Sequence, residues 1–156
     1  MRAVVQRVAQ ARVSVAGETV GEIGGGLMFL LAVGPADDAQ VARHLAGRMA
    51  SLRVFPDSDG RMNRSLVDAQ GEALVVSQFT LYADARRGHR PSFVGAGPPV
   101  MAAELCFVFA EELRALGVRS VAEGRFGAHM EVSLVNDGPV TLVVSVGEPI
   151  WETDCG

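Results

Sequence analysis

The most constraining stretch of this sequence is Leu27 to Val33, an unbroken apolar run with Gly24-Gly25-Gly26 before it and Gly34-Pro35 after it. So short a run between glycine and proline reads as a strand, and a strand apolar at every position is buried on both faces. Cover on two sides calls for layers of helix and sheet. The 156 residues fit one domain and leave little room for a second. With 49% apolar and 21% charged residues, the composition is that of a folded domain and not of a disordered chain. The apolar run is far short of the ~20 residues that cross a bilayer. Arg2, Arg7 and Arg12 occupy the region where a signal peptide needs its apolar core, so the expected location is the cytoplasm, away from membranes.

Elements on either side of this strand follow from periodicity and punctuation. Val13-Ser14-Val15 and Thr19-Val20-Gly21 flank Ala16-Gly17-Glu18, which predicts a hairpin. Asp37 and Asp38 are candidate N-caps for a helix over residues 38–52, whose apolar face is Val41, Leu45, Met49 and Leu52 and whose arginines point outward. Pro56-Asp57-Ser58-Asp59-Gly60 is a turn cluster. Leu74 to Leu81 reads as a central strand with a polar end at Ser77-Gln78-Phe79-Thr80. A long loop, Ala83 to Pro99, carries Arg86, Arg87, His89 and Arg90. A second helix is expected from Val100 to Leu116, stopped by Gly117. Met130 to Val135 and Val140 to Val146, separated by Asn136-Asp137-Gly138-Pro139, predict a closing hairpin. Together these predict a single α/β domain over residues 1–146 with a mixed sheet and two main helices, and a C-terminal tail over 147–156.

Several chemistries find no support. All 14 basic residues are arginine, so Schiff-base catalysis by lysine is excluded. Gly24-Gly25-Gly26 is followed by no Gly-Lys-Ser/Thr and opens no G-x-G-x-x-G, which leaves it as a turn or bulge before the buried strand. His44, His89 and His129 lack metal-ligand spacing, and no metal is expected. Cys106 falls in an apolar helical stretch and reads as a core residue, while Cys155 lies next to the end; a disulfide framework is not expected. No G-x-S-x-G elbow is present. The net charge of −4 gives no general attraction for nucleic acid, so any RNA contact needs a local basic patch.

Two segments break the local rules. Ser77-Gln78-Phe79-Thr80 puts hydrogen-bonding side chains into an apolar strand, where they need partners unless the strand surfaces there. Gly138-Pro139 sits in the predicted hairpin turn, where such residues are ordinary and where a small minority of X-Pro bonds are cis. Taken together, Ser77-Gln78-Phe79-Thr80-Leu81 and Asn136-Asp137-Gly138-Pro139-Val140-Thr141 resemble the two signature motifs of the D-aminoacyl-tRNA deacylases. Gln6-Arg7-Val8, Gly21-Glu22-Ile23, Met62-Asn63, Arg90-Pro91-Ser92-Phe93 and Gly124-Arg125-Phe126 are similar to that family in order and spacing, from Met1 to about Val146.

The resemblance implies a layered, barrel-like arrangement of mixed and antiparallel sheets and a homodimer whose active sites are completed by the partner's Gly-cisPro dipeptide, here Gly138-Pro139. It implies hydrolysis, without a cofactor, of the ester between a D-amino acid and the terminal ribose of tRNA. The dipeptide's carbonyls would hold the substrate's amino group and stand where an L side chain would go. A ~1000-fold preference needs about 4 kcal/mol, which a backbone clash can reach. Glycine has nothing to exclude, so glycyl-tRNA is an expected second substrate. Ser77 and the Phe79 N–H are expected as donors to the ester or its oxyanion, with Phe79 near the terminal adenosine and Gln78 as support. Water attack assisted by the 2′-hydroxyl is favoured over a covalent Thr80, which has no general base nearby in sequence. Ala102 and Met130 match adenine-pocket positions, and Arg7 matches a residue that steadies the dipeptide. Arg86, Arg87 and Arg90 form the expected patch for the tRNA backbone. The competing readings are a non-enzymatic tRNA- or RNA-binding module, against which the chain offers few aromatic residues for base stacking, and a small-molecule or peptide hydrolase.

Overall fold

The computed structural model describes residues 1–86 and 88–147. The chain begins with a long strand, β1 (Arg2–Val15), which turns through Gly17 into β2 (Glu18–Ile23) and then β3 (Gly26–Ala32). Helix α1 (Ala39–Ser51) follows, then a small ribbon of β4 (Phe55–Pro56) and β5 (Met62–Arg64), and β6 (Glu72–Ser77). A 3-10 turn over Phe79–Tyr82 leads through the loop to α2 (Pro99–Ala115), β7 (Ser120–Glu123) and β8 (Glu131–Ser145). The main sheet runs β2-β1-β3-β6-β7, with β8 along the other side of β1. β3, β6 and β7 are parallel, and the remaining pairings are antiparallel.

The apolar run at 27–33 does what its pattern requires. Leu27, Phe29 and Leu31 face the two helices, whereas Met28 faces a second core inside the curled sheet. β6 divides in the same way, Ala73 and Val75 to the helices and Leu74 and Val76 to the interior. α1 contributes Leu45 and Met49 and α2 contributes Phe109 and Leu113 to the outer core, where Phe109 meets Phe29 edge-on at 5.4 Å. The curl nearly closes the sheet into a barrel: a Cβ on Gly21 of β2 would stand 2.7 Å from the Glu123 carbonyl of β7. Gly26 permits the other close approach, since a Cβ there would overlap the Glu72 carbonyl at 1.9 Å.

β1 serves both cores because it changes face. Ala3 and Val5 pack under the helices, whereas Val8, Ala11 and Val13 pack in the barrel. Between Val8↔Asn136 and Gln10↔Val135, β1 advances two residues while β8 advances one. The extra residue is a bulge, and one inserted residue turns every later side chain to the opposite face.

The predicted hairpin over residues 13–21 is present, as the end of the long β1 and the start of β2. Three sequence expectations need correction. Only Asp38 caps α1, accepting the Val41 N–H at 2.9 Å; Asp37 instead pairs with the Met1 ammonium at 2.6 Å and accepts the Gly34 N–H. The central strand stops at Ser77, and Phe79 and Thr80 belong to the 3-10 turn. There is no closing hairpin: β8 continues through Asn136-Asp137-Gly138-Pro139 along β1. Between Gln6↔Thr141 and Val8↔Asn136, β1 advances two residues and β8 five, so the excess stands out as a bulge. Of the predicted tail, residues 148–156 lie outside the described residues. Among the described residues no helix is long and apolar enough to cross a membrane.

Candidate active site

A cavity of about 790 Å3 opens at the carboxyl ends of β3 and β6, the edge at which open parallel sheets place their ligands. Its floor is Leu31 to Val33 and Val76. One wall is Ser77-Gln78-Phe79, and the second is the end of the long loop with the start of α2, through Ala102 and Cys106. The third wall is the β7–β8 connection from Phe126 to Met130. The structure therefore gathers five sequence-predicted residues, Ser77, Gln78, Phe79, Ala102 and Met130, around one space.

Ser77-Gln78-Phe79 is the polar stretch of this mainly apolar wall. The Gln78 N–H donates to Leu31 O at 2.7 Å, which ties the end of β6 back to β3. Its side-chain amide donates to the Thr80 hydroxyl. Thr80 is held off the cavity and does not line it. The Phe79 N–H donates no hydrogen bond among the described residues, so it is available to a ligand. The Phe79 ring is 56% exposed and meets Phe93 edge-on, with centroids 5.2 Å apart.

Residues that the sequence did not assign to the site are present as well. Phe93 and Phe126 join Phe79 at the mouth, so three of the seven phenylalanines form the aromatic surface that the composition had argued against. His129 adds an exposed imidazole to the rim. Cys106, read as core, is buried but also forms wall; desolvation by burial pushes its thiol up to about 12, with the Glu123 carboxylate adding to the shift. It is a small apolar surface at neutral pH and no nucleophile. The signal for Phe93 and Phe126 was their place in short polar motifs, whereas nothing in the local pattern distinguished Cys106 from other helical core residues.

Gly138, Pro139 and Arg7 come together in a second place, not on the wall of this cavity. The Gly138-Pro139 bond is cis, and both residues are exposed on the β8 bulge. Arg7 is its brace: Nε donates to the Asp137 carbonyl at 3.1 Å and pairs with its carboxylate at 3.2 Å, while Nη1 donates to Val54 O. The Asn136 side chain closes the other end, accepting the Val140 N–H and donating to the Thr141 hydroxyl, both at 2.9 Å. Planar, doubly hydrogen-bonded groups on both flanks make the bulge a fixed projection.

The expected basic patch is divided. Arg86 is engaged by Asp84 through two hydrogen bonds, at 3.0 and 2.9 Å, Arg90 is exposed, and Arg87 lies outside the described residues.

The chain is similar to known proteins over nearly its whole length. The family model described as D-Tyr-tRNA(Tyr) deacylase matches residues 4–145. A D-aminoacyl-tRNA deacylase of Roseiflexus sp. (strain RS-1) is 63% identical over 144 residues, 92% of each chain. One of Deinococcus radiodurans is 54% identical over 146 residues, covering 94% of this chain and all of that one. Among solved structures, the c-Myc DNA Unwinding Element Binding Protein is 39% identical with a TM-score of 0.88, over 95% of this chain and 100% of that one. A probable eukaryotic D-amino acid tRNA deacylase, at 17% identity and a TM-score of 0.82, shares the fold over 93% of this chain and 98% of its own. A match that runs from the first strand to the last, and includes both the cavity wall and the braced Gly-Pro bulge, places the chain in the D-Tyr-tRNA(Tyr) deacylase family.

Proposed function

We propose that this protein hydrolyses the ester of D-aminoacyl-tRNA, and of glycyl-tRNA, as a homodimer in which each cavity is closed by the Gly138-Pro139 bulge of a second copy. The observation that carries the reading is the wall Ser77-Gln78-Phe79: a free backbone N–H and a hydroxyl stand beside an exposed ring in an otherwise apolar space. Stacking of the terminal adenine against Phe79, with Ala102 and Met130 opposite, brings the ribose ester to Ser77 and the Phe79 N–H. Those donors stabilise the oxyanion as it forms, worth about 3–4 kcal/mol for one well-placed donor. The attacking water is activated by the substrate's 2′-hydroxyl. Thr80, with its hydroxyl engaged by Gln78, is left as support.

The cavity by itself is open and mainly apolar, which gives it little grip on the hand of an amino acid. The bulge is a rigid backbone projection that is not used by its own cavity. On β8 it stands beside Val132, Val135 and Val143, exposed on a strand whose second edge pairs with no strand among the described residues. A second copy of this chain is the partner such an edge fits. Main-chain carbonyls placed over the substrate's α-carbon accept its ammonium and exclude any L side chain, whatever its chemistry. Arg90 supplies phosphate contact at the entrance, indifferent to tRNA sequence.

The test is deacylation of D-tyrosyl-, L-tyrosyl-, glycyl- and L-alanyl-tRNA by the purified protein. Loss of the D and glycyl esters with both L esters spared is the expected result. Cleavage of D- and L-tyrosyl-tRNA alike would remove the chirality filter, intact glycyl-tRNA would remove the exclusion argument, and no cleavage at all would leave an RNA-binding module.

A further inference from the structure

Arg2 makes no ion pair with a carboxylate among the described residues, although it is neither at a tip nor in a loop. It opens β1, between Ala32 of β3 and Ser145 of β8. Its guanidinium carbon lies 4.3 Å from the centroid of the Tyr82 ring, and its Nη1 donates to Leu81 O at 3.1 Å. Its Nε is buried with no hydrogen-bond partner among the described residues. A donor left unsatisfied is costly, and such an exception asks for a role.

We propose that Arg2 is a positioning residue for the deacylation reaction, holding from beneath the 3-10 turn that presents Phe79 to the substrate. The proposal rests on the function given above. Two consecutive residues of the turn, Leu81 and Tyr82, are gripped by one planar cation, by hydrogen bond and by stacking. Within the turn itself no side chain caps the start, and the N–H bonds from Leu81 to Gln78 O and from Ala83 to Thr80 O are those of a single coil, at 3.2 and 3.0 Å.

Tyr82 also packs beside Gly34 and Gly95, next in sequence to the cavity-lining Val33, Pro35 and Ala96. It is buried, and a Cβ on Gly34 would stand 2.6 Å from its hydroxyl. A Cβ on Gly95 would stand 3.6 Å from its carbonyl oxygen. A shift of the ring therefore moves the turn, the Gly34 loop and the Gly95 loop together, and with them the Phe79–Phe93 pair at the mouth. Arginine suits this place because its flat face stacks on the ring while its edge donates in plane to a carbonyl. An ammonium is a point charge with no such face.

The experiment compares Arg2→Met and Arg2→Lys with the unaltered protein, by kinetics on D-tyrosyl-tRNA and by hydrogen exchange at the amides of Leu81 and Ala83. Tyr82 is the one tyrosine of the chain, so its ring resonances report the stack directly. Expected for Arg2→Met are a kcat lower by about ten- to a hundredfold, KM within about twofold, and faster exchange at Leu81 and Ala83 while β3 and β6 stay protected. Arg2→Lys falls between. Should Arg2→Met fail to fold, Tyr82→Leu removes the stack from the other side and is expected to give the same signature. Unchanged kcat per folded molecule, or lowered kcat with the two amides as protected as before, overturns the proposal. If the unaltered protein cleaves no aminoacyl-tRNA the functional reading fails, and exchange at Leu81 and Ala83 still decides whether Arg2 holds the turn.

Discussion

The hydroxyl of Thr80 accepts a hydrogen bond from the Gln78 amide and stands off the cavity. Thr80→Ala therefore removes one neutral hydrogen bond, worth about 1 kcal/mol, and no reacting atom. Its expected kcat on D-tyrosyl-tRNA is within about threefold of the unaltered protein; a nucleophile or an oxyanion donor would cost about a hundredfold or more. Side chains such as this were legible in sequence as chemistry but not as geometry. Ser77, Gln78 and Phe79 attract notice because polar groups interrupt an apolar strand, and the structure puts all three on the wall. Thr80 belongs to the same motif, yet the backbone turns after Ser77 and aims it elsewhere. Arg2 offered no signal at all. An arginine near an N-terminus is unremarkable until the fold brings residues 81 and 82 against it.

Secondary elements were read most reliably where burial is one-sided or complete. The helices obey their periodicity because each turns one face to the outer core, and the 27–33 strand is apolar throughout because it lies between the two cores. The closing hairpin failed for a physical reason: Asn-Asp-Gly-Pro is turn chemistry, and a large bulge uses the same residues as a reversal. Only the pairing partner distinguishes them, and that partner is β1, far away in sequence. Helix α2 carries a second lesson, because its buried face is at once core and cavity wall. Cys106 lies on that face, its thiol pushed from 9.0 up to about 12 by burial first and by Glu123 second. At pH 8 such a thiol is ionised in only about one molecule in ten thousand. With Cys155→Ser as background, Cys106 is expected to resist alkylation at pH 8 in the folded protein and to react at once when urea unfolds it. The folded chain keeps a proton that the unfolded chain releases near pH 9, so this group lowers stability as pH rises from about 9 toward 12. Rapid labelling of the folded protein at pH 8 would mean that α2 opens readily or that the thiolate is stabilised there.

At the scale of the whole molecule the question is why a chain would build two functional features and keep them apart. The cavity at the ends of β3 and β6 has an aromatic mouth and hydrogen-bond donors. The β8 bulge has a fixed backbone, braced by Arg7 and Asn136, and lies outside the lining of that cavity. Two half-sites on one chain, one of them on an open strand edge, make sense if two chains exchange them across a twofold axis, which uses both bulges and both cavities. This arrangement can be tested by mixing variants. Gly138 has φ +135°, and a Cβ there would stand 3.0 Å from the Val140 nitrogen and 2.9 Å from its Cγ2, so Gly138→Ala distorts the bulge. Strain of that kind costs about 1–3 kcal/mol and leaves the cavity, which lies elsewhere, intact. Phe79→Ala does the reverse, impairing the cavity and sparing the bulge. Each variant alone is expected to be nearly inactive on D-tyrosyl-tRNA. Unfolded together and refolded as a mixture, half of the dimers would be mixed, each with one intact cavity facing one intact bulge. Activity should then recover to about a quarter of that of the unaltered protein. Recovery requires that the bulge act on the other chain's cavity. If each site were complete within one chain, the mixture would be no more active than the average of its parents, and the exchange of Gly138-Pro139 between copies would be wrong even with the hydrolase reading intact.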